Sequence, residues 1–179
     1  MAKNILIIST SLRSNSNSEK LAKAFMAGAE SNGNTVELVS LKDKKIAFCK
    51  GCMACQKLGK CVINDDANII TEKMFNADVI VWATPIYYYE MSGSMKTMID
   101  RANSLYSREY KFRDVYLLTT AADTELDATN RCIEGLLGWV ECFENAKFCD
   151  YIFANGADAP NSISQEKLDE AYSLGESIE

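Results

Sequence analysis

Histidine is absent from all 179 residues of the sequence. Because histidine is the usual general base near neutral pH, its absence excludes catalysis by a Ser-His or Cys-His pair. It also removes the commonest metal ligand. An excess of basic residues is missing too, since the formal net charge is −6. That charge argues against nucleic acid or an anionic membrane surface as a partner, because either would favour a basic face.

Long apolar segments are also missing. No apolar run approaches the roughly 18 residues of a membrane-spanning helix, and no signal peptide precedes the first predicted strand. We therefore expect a soluble, cytoplasmic protein that contacts no membrane. The seven cysteines of such a chain favour a metal or redox role over disulfides.

Apolar segments alternate with amphipathic ones along the whole chain, without repeats or linkers. The predicted strands are residues 4–8, 35–41, 77–84, 114–120 and 147–154. The predicted helices begin near residue 19, cover about 67–75 and 92–106, end near 144, and cover about 164–178. This order is typical of the α/β class and predicts a doubly wound, five-stranded parallel sheet of order 2-1-3-4-5 with helices on both faces. We expect one domain over residues 1–179, with a cysteine-rich insertion at about 42–66.

The loop at residues 9–18 lies between the first strand and the first helix and contains no glycine. It is therefore neither a dinucleotide fingerprint nor a Walker loop, since both need glycine for close backbone approach. Its hydroxyls, amides and Arg13 would instead surround a helix N-terminus, which attracts anions. A terminal phosphate monoester suits such side-chain donors. A polar connection that merely caps the helix remains the alternative.

The loop after the third strand carries three adjacent tyrosines, Tyr87 to Tyr89. Successive residues point different ways and each phenol needs a polar partner, so these side chains are unlike a simple core. With the small residues around Thr120 and Ala121, they would form walls for a flat aromatic ligand. A phosphate at one end and a flat ring at the other describe FMN. A tyrosine-rich surface at an oligomer interface is the alternative.

Several short motifs resemble the flavodoxin-like NAD(P)H-dependent FMN reductase family. They are Ser11-Leu12-Arg13, Ser16-Asn17-Ser18, Thr84-Pro85-Ile86-Tyr87, and Lys96 with Asp100-Arg101. The resemblance implies an FMN site. Its phosphate ligands would be Ser11, Arg13, Ser16, Asn17 and Ser18, and its ring would lie near Thr84, Pro85, Ile86, Tyr87, Tyr88, Thr120 and Ala121.

The resemblance also implies how such a protein works. Electrons would pass from NAD(P)H, or from a ferredoxin, through FMN to a small acceptor such as a quinone or free flavin. No side chain need act as acid or base, since the chemistry belongs to the cofactor. Family members are homodimers or homotetramers. The sequence departs from the family at Thr10, where glycine is usual, and at Leu12, where proline is usual.

Four cysteines have the spacing C-x2-C-x2-C-x5-C: Cys49, Cys52, Cys55 and Cys61. With Asp65-Asp66 they resemble the branch of the family that includes the iron–sulfur flavoproteins. The spacing is typical of a [4Fe–4S] cluster, whereas structural zinc usually takes two separated C-x2-C pairs. A cluster, free or redox-active thiols, and zinc all remain open here. We interpret Cys132, Cys142 and Cys149 as core residues.

Two other functional classes are consistent with the same residues. The chain could be a non-enzymatic electron carrier, like flavodoxin, which would not turn over NAD(P)H. It could also be a redox or metal sensor that uses the fold without a flavin, which would leave the protein colourless.

Overall fold

The structure, a computed structural model, describes residues 1–179 and is built on a central β-sheet. The strands are β1 (Asn4–Ser9), β2 (Thr35–Ser40), β3 (Val79–Tyr87), β4 (Glu90–Met91), β5 (Asp114–Thr120) and β6 (Lys147–Ala154). Five of them pair in parallel in the order β2-β1-β3-β5-β6. This order confirms the predicted doubly wound, five-stranded sheet. The short β4 pairs only with β3 and lies outside that row.

Six α-helices accompany the sheet. They are α1 (Asn17–Ser31), α2 (Ala54–Leu58), α3 (Asp66–Asn76), α4 (Gly93–Arg101), α5 (Asn130–Val140) and α6 (Gln165–Glu176). The predicted helix at 92–106 is α-helical only to Arg101 and continues as a 3-10 helix to Ser107. The helix predicted to end near 144 stops at Val140. None of these helices combines the length and apolar character that crossing a bilayer would require.

Alternate residues of the strands supply two separate cores, one on each face of the sheet. Leu6, Ile8 and Trp82 pack on the face covered by α3, α4 and α5. Ile5 and Ile7 pack on the opposite face, against α1 and α6. Because both faces are buried, β1 reads in the sequence as an unbroken apolar run.

β3 is longer than predicted. The sequence predicts a strand that ends at Thr84, but β3 continues to Tyr87. Ile86 and Tyr87 leave the parallel ladder and pair antiparallel with Met91 and Glu90 of β4. The β3–β4 hairpin, whose turn consists of Tyr88 and Tyr89, projects from the carboxyl edge of the sheet.

Candidate functional site

A cavity of about 210 Å³ lies at the carboxyl ends of β1, β3 and β5, where open parallel sheets bind their ligands. Three loops that the sequence singled out meet there. Ten of the twelve residues predicted to bind a cofactor line the cavity: Ser11, Arg13, Ser16, Asn17, Ser18, Pro85, Ile86, Tyr87, Thr120 and Ala121.

Thr84 and Tyr88 are the two predicted residues that do not line the cavity. Thr84 is fully buried, and its Oγ1 accepts a hydrogen bond from the Ser92 backbone N–H at 3.1 Å. Tyr88 is 96% exposed at the tip of the β3–β4 hairpin. The structure therefore places Thr84 beneath the site and Tyr88 outside it.

One end of the cavity is the N-terminus of α1. Ser16 caps the helix by accepting a hydrogen bond from the Glu19 N–H at 3.2 Å, and Ser11 and Ser18 are buried beside it. Arg13 is exposed and forms no ion pair within the protein. A helix N-terminus, hydroxyls and an unpaired guanidinium therefore face one small space, which favours an anion.

The loop after β6 also lines the cavity through Ala157, Asp158 and Pro160, and the sequence interpretation missed it. Asn17 holds this loop, since its Nδ2 donates to the carbonyl oxygens of Ala157 at 3.1 Å and Ala159 at 2.9 Å. The missed signal was topological. β6 is parallel to β5, so its following loop must lie at the same edge of the sheet.

A buried hydroxyl network lies under the site. Thr10 Oγ1 lies 2.9 Å from Ser92 Oγ and donates to the Ala83 carbonyl oxygen at 3.1 Å, and Thr84 Oγ1 lies 3.1 Å from Ser92 Oγ. Ser92 is also the N-cap of α4. Thr10 and Ser92 thus link β1, β3 and α4.

The four closely spaced cysteines lie on what we call the cysteine loop, residues 48–62. Its two ends are held together by residues 45–47 and 63–66: the Ala47 N–H donates to Asp65 Oδ2 at 2.9 Å, and the Asp66 N–H donates to the Lys45 carbonyl oxygen at 3.2 Å. Asp65 also pairs with Arg101 of α4 at 2.6 Å. The loop contains one short helix, α2, that the sequence did not predict.

The cysteine sulfurs do not form a ready-made metal site, because no three or more Cys, Asp or Glu side chains are gathered closely enough to hold an ion. Cys49 and Cys52 are exposed, while Cys55 and Cys61 are half-buried.

Of the three isolated cysteines, only Cys132 is a core residue. Burial, with a contribution from the charge of Glu90, raises its pKa to about 12. Cys149 is half-buried. Cys142 is exposed because α5 ends before it, so its assignment to the core was wrong.

The model of the NADPH-dependent FMN reductase family matches residues 3–139, which include β1, the cysteine loop and most of the cavity loops. The chain belongs to this family.

Within the NADPH-dependent FMN reductase family, the chain is similar to iron-sulfur flavoproteins. It is 35% identical over 101 residues to one from Methanocaldococcus jannaschii, a match that covers 56% of this chain and 52% of the relative. It is 34% identical over 107 residues to one from Methanosarcina thermophila, covering 60% of this chain and 56% of the relative. The chain thus spans about half the length of these relatives.

Solved structures share the fold. The NAD(P)H:quinone oxidoreductase from Methanothermobacter marburgensis superimposes with a TM-score of 0.74 over 100% of both chains, at 17% sequence identity. At that identity the likeness establishes the flavodoxin-like architecture alone.

The residues present fit both FMN, which the name of the family implies, and an iron–sulfur cluster, which the names of the relatives imply. For FMN, the fit is an anion-attracting helix end in a cavity that Pro85, Ile86 and Ala121 also line, together with the buried Asn17 Oδ1, which has no hydrogen-bond partner. For an iron–sulfur cluster, the fit is the chemistry of four thiols on one loop. A cluster would require the cysteine sulfurs to move closer together, because they are not assembled.

Proposed function

We propose that this chain is an oxidoreductase that binds FMN in the cavity at residues 11–18, 85–87 and 120–121 and moves electrons from NAD(P)H to a small acceptor. One observation carries the proposal: ten predicted residues from three separate loops line one cavity at the switch point between β1 and β3. Membership of the NADPH-dependent FMN reductase family supports it.

The N-terminus of α1 would hold the phosphate. Its free N–H groups, the hydroxyls of Ser11, Ser16 and Ser18, and the Arg13 guanidinium supply donors and positive charge. The Nδ2 of Asn17 already donates hydrogen bonds to the loop at 157–162. Its role is to position that loop as a wall, with Oδ1 left as an acceptor.

The opposite end would hold the ring. Pro85 and Ile86 provide half-buried apolar surface, and Tyr87, which is 49% exposed, lies where β3 turns into the hairpin. FMN bound there would supply the capacity for hydride transfer and for one- or two-electron transfer. Tyr87 and the residues at 120–122 orient the ring and exclude water from one side, and no side chain of the cavity is needed as a general acid or base.

The test begins with an absorption spectrum of protein purified without air. Bands near 375 and 450 nm at about one flavin per chain support the proposal. Oxidation of NADPH or NADH by the pure protein, with a quinone or free flavin as acceptor, then separates an enzyme from a flavodoxin-like carrier. Protein that stays colourless after reconstitution with FMN contradicts the proposal.

The cysteine loop supplies the second part of the proposal, a [4Fe–4S] cluster on Cys49, Cys52, Cys55 and Cys61. The relatives named iron-sulfur flavoproteins support it. A cluster would add one-electron transfer, to or from a carrier such as ferredoxin. Iron and acid-labile sulfide assays on the same sample decide between about four irons per chain, one zinc and free thiols.

We also expect a homodimer or homotetramer of one-domain subunits. The exposed Tyr88 and Tyr89 beside the cavity support an interface at the hairpin. Light scattering on the purified protein measures the subunit number.

A further inference from the structure

One buried arginine closes the base of the cysteine loop. Arg101 is 2% exposed, and its Nη1 and Nη2 donate to Asp65 Oδ2 at 2.6 Å and Oδ1 at 2.8 Å. The same guanidinium donates to the carbonyl oxygens of Ala47 at 2.7 Å and Ile63 at 3.0 Å. Acceptors from both ends of the loop therefore converge on one side chain, and opening the base would leave a buried charge unpaired.

Two of the four cysteines are tied to this framework, Cys55 through its sulfur and Cys61 through its position in the chain. Asn103 Nδ2 donates a hydrogen bond to Cys55 Sγ at 3.3 Å. Cys61 lies two positions before Ile63, whose carbonyl oxygen accepts a hydrogen bond from Arg101 Nη2 at 3.0 Å. Arg101 Nε is buried without a partner, so one donor of this side chain remains free.

The other two sulfurs have no such support. Cys49 and Cys52 are exposed, and Cys49 Sγ accepts only a local hydrogen bond, from the Gly51 N–H at 3.4 Å. Gly51 and Met53 both have a positive φ, 64° and 58°. The sulfurs of this arm of the loop therefore form no hydrogen bond with the rest of the protein.

We propose that Asn103 and Arg101 are positioning residues that hold Cys55 and Cys61 as the fixed half of an iron–sulfur site, which Cys49 and Cys52 complete by closing onto it. This inference rests on the cluster included in the proposed function. Hydrogen bonds to ligand sulfurs tune the reduction potential of a cluster, and removing one makes the potential more negative. Asn103 is thus expected to set the potential as well as the position of Cys55.

Asn103→Ala tests the sulfur contact, with Asn68→Ala as its matched control. Asn68 Nδ2 also ties the cysteine loop, but it donates to the carbonyl oxygens of Cys61 at 3.2 Å and Ile63 at 3.1 Å and to no sulfur. Each protein is reconstituted with iron and sulfide without air. Iron and sulfide per chain, the electron paramagnetic resonance spectrum of the reduced protein and its midpoint potential are then measured.

In Asn103→Ala we expect a more negative midpoint potential and an altered spectrum. In Asn68→Ala both properties should match the wild type. If the three proteins share one potential and one spectrum, Asn103 is not a positioning residue and the proposal is overturned.

Arg101→Lys tests the base of the loop while keeping the positive charge. Lysine cannot pair with both Asp65 oxygens and two carbonyl groups at once, so we expect reduced iron retention. In the metal-free protein, amide hydrogen exchange over residues 48–62 should rise while exchange in β1 and β3 stays unchanged. Unchanged exchange in the loop contradicts the role of Arg101, and this readout needs no metal.

The outcomes separate this inference from the proposed function. Wild-type protein that binds FMN but takes up no iron overturns the inference and the cluster, while the flavin-dependent activity stands. Protein that binds iron but no FMN contradicts the proposed function and leaves the Asn103 and Arg101 experiments fully interpretable.

Discussion

Gly28 of α1 and Gly175 of α6 each face the backbone of the other helix. A Cβ added to Gly28 would lie 1.9 Å from the Tyr172 carbonyl oxygen, and one added to Gly175 would lie 2.1 Å from the Phe25 carbonyl oxygen. Real atoms do not approach so closely, so the two helices pack at a distance that only glycine allows. Since α1 also begins at the cavity, this crossing fixes the helix whose N-terminus forms the anion-attracting end.

Gly28→Ala and Gly175→Ala should each destabilise the protein. The clash is with backbone, which no rotamer change can relieve, so each should cost about 3 kcal/mol, the upper part of the usual range for overpacking. Because either alanine already pushes the helices apart, the double variant should lose clearly less than the sum of the two. Urea denaturation of the wild type, the two single variants and the double variant measures these losses in the free energy of unfolding.

Gly138→Ala is the control for these variants. Gly138 lies in α5 with no atom within 4 Å of an added Cβ. Alanine there should raise the free energy of unfolding by roughly 0.5–1 kcal/mol, because it favours the helix. Equal losses at all three glycines would contradict a special role for the α1–α6 crossing.

Asp65 should make the protein sensitive to acid. Burial raises the pKa of its carboxyl, but hydrogen bonds from Arg101 and from the N–H groups of Ala47 and Ala67 outweigh this and lower it below 3.8. The unfolded chain therefore binds the proton more tightly than the folded one. The stabilisation is complete above pH of about 4 and is lost as the pH falls through the lower, folded pKa.

Asp65→Asn tests this pH dependence. At pH 7 it should lose about 3 kcal/mol, because it leaves the buried Arg101 charge without its partner. Below about pH 4 its stability should fall less steeply than that of the wild type. Asp100→Asn serves as the control, since Asp100 pairs with Lys96 at the surface and should contribute less than about 0.5 kcal/mol. Denaturation curves at several pH values between 7 and 3 measure this. If Asp65 were not involved, the free energy of unfolding would fall with pH in parallel in the variant and the wild type.

The tip of the β3–β4 hairpin is strained. Tyr88 and Tyr89 have φ values of 51° and 67°, as in a type I′ turn, where Asn-Gly is preferred. Replacing both residues by Asn and Gly should stabilise the protein by about 1–3 kcal/mol. Tyr106→Asn is the control, because Tyr106 is also exposed but has no positive φ. A thermal melt that shows no gain for the hairpin variant would mean that the tyrosines make compensating contacts.

The sequence predicted the parts of this molecule that follow from local patterns. β1 was recognised because Ile5 to Ile8 are buried on both faces, and Ser11 and Ser18 could be placed at the cavity because parallel strands end at one edge. The sequence could not show that Thr84 and Tyr88 do not line the cavity, because the direction of a side chain depends on the hairpin. No local pattern predicts that hairpin, since its two turn residues are tyrosines rather than Asn-Gly.

The longer-range contacts could not have been read from the sequence. Asn17 reaches the loop at 157–162 across about 140 positions, and Arg101 reaches Asp65 across 36. Both side chains belong to motifs that the sequence singled out, so their importance was visible while their partners were not. The missing information was tertiary: only the folded sheet brings the ends of distant loops to one place.

Arg13 and Tyr88 should differ sharply in their effect on FMN affinity. Arg13 lines the cavity and has no ion pair, so Arg13→Ala removes a charge-assisted hydrogen bond to the phosphate worth about 1.5–3 kcal/mol, or roughly a 10- to 150-fold weaker Kd. Arg131→Ala, an exposed arginine outside the cavity, should leave the Kd unchanged. Tyr88→Asn should also leave it unchanged, because Tyr88 does not line the cavity. Fluorescence titration of the flavin-free proteins measures all three constants. If Tyr88→Asn bound FMN more weakly, the hairpin would have to fold over bound FMN. If Arg13→Ala bound FMN with an unchanged Kd, the phosphate would not lie at the N-terminus of α1.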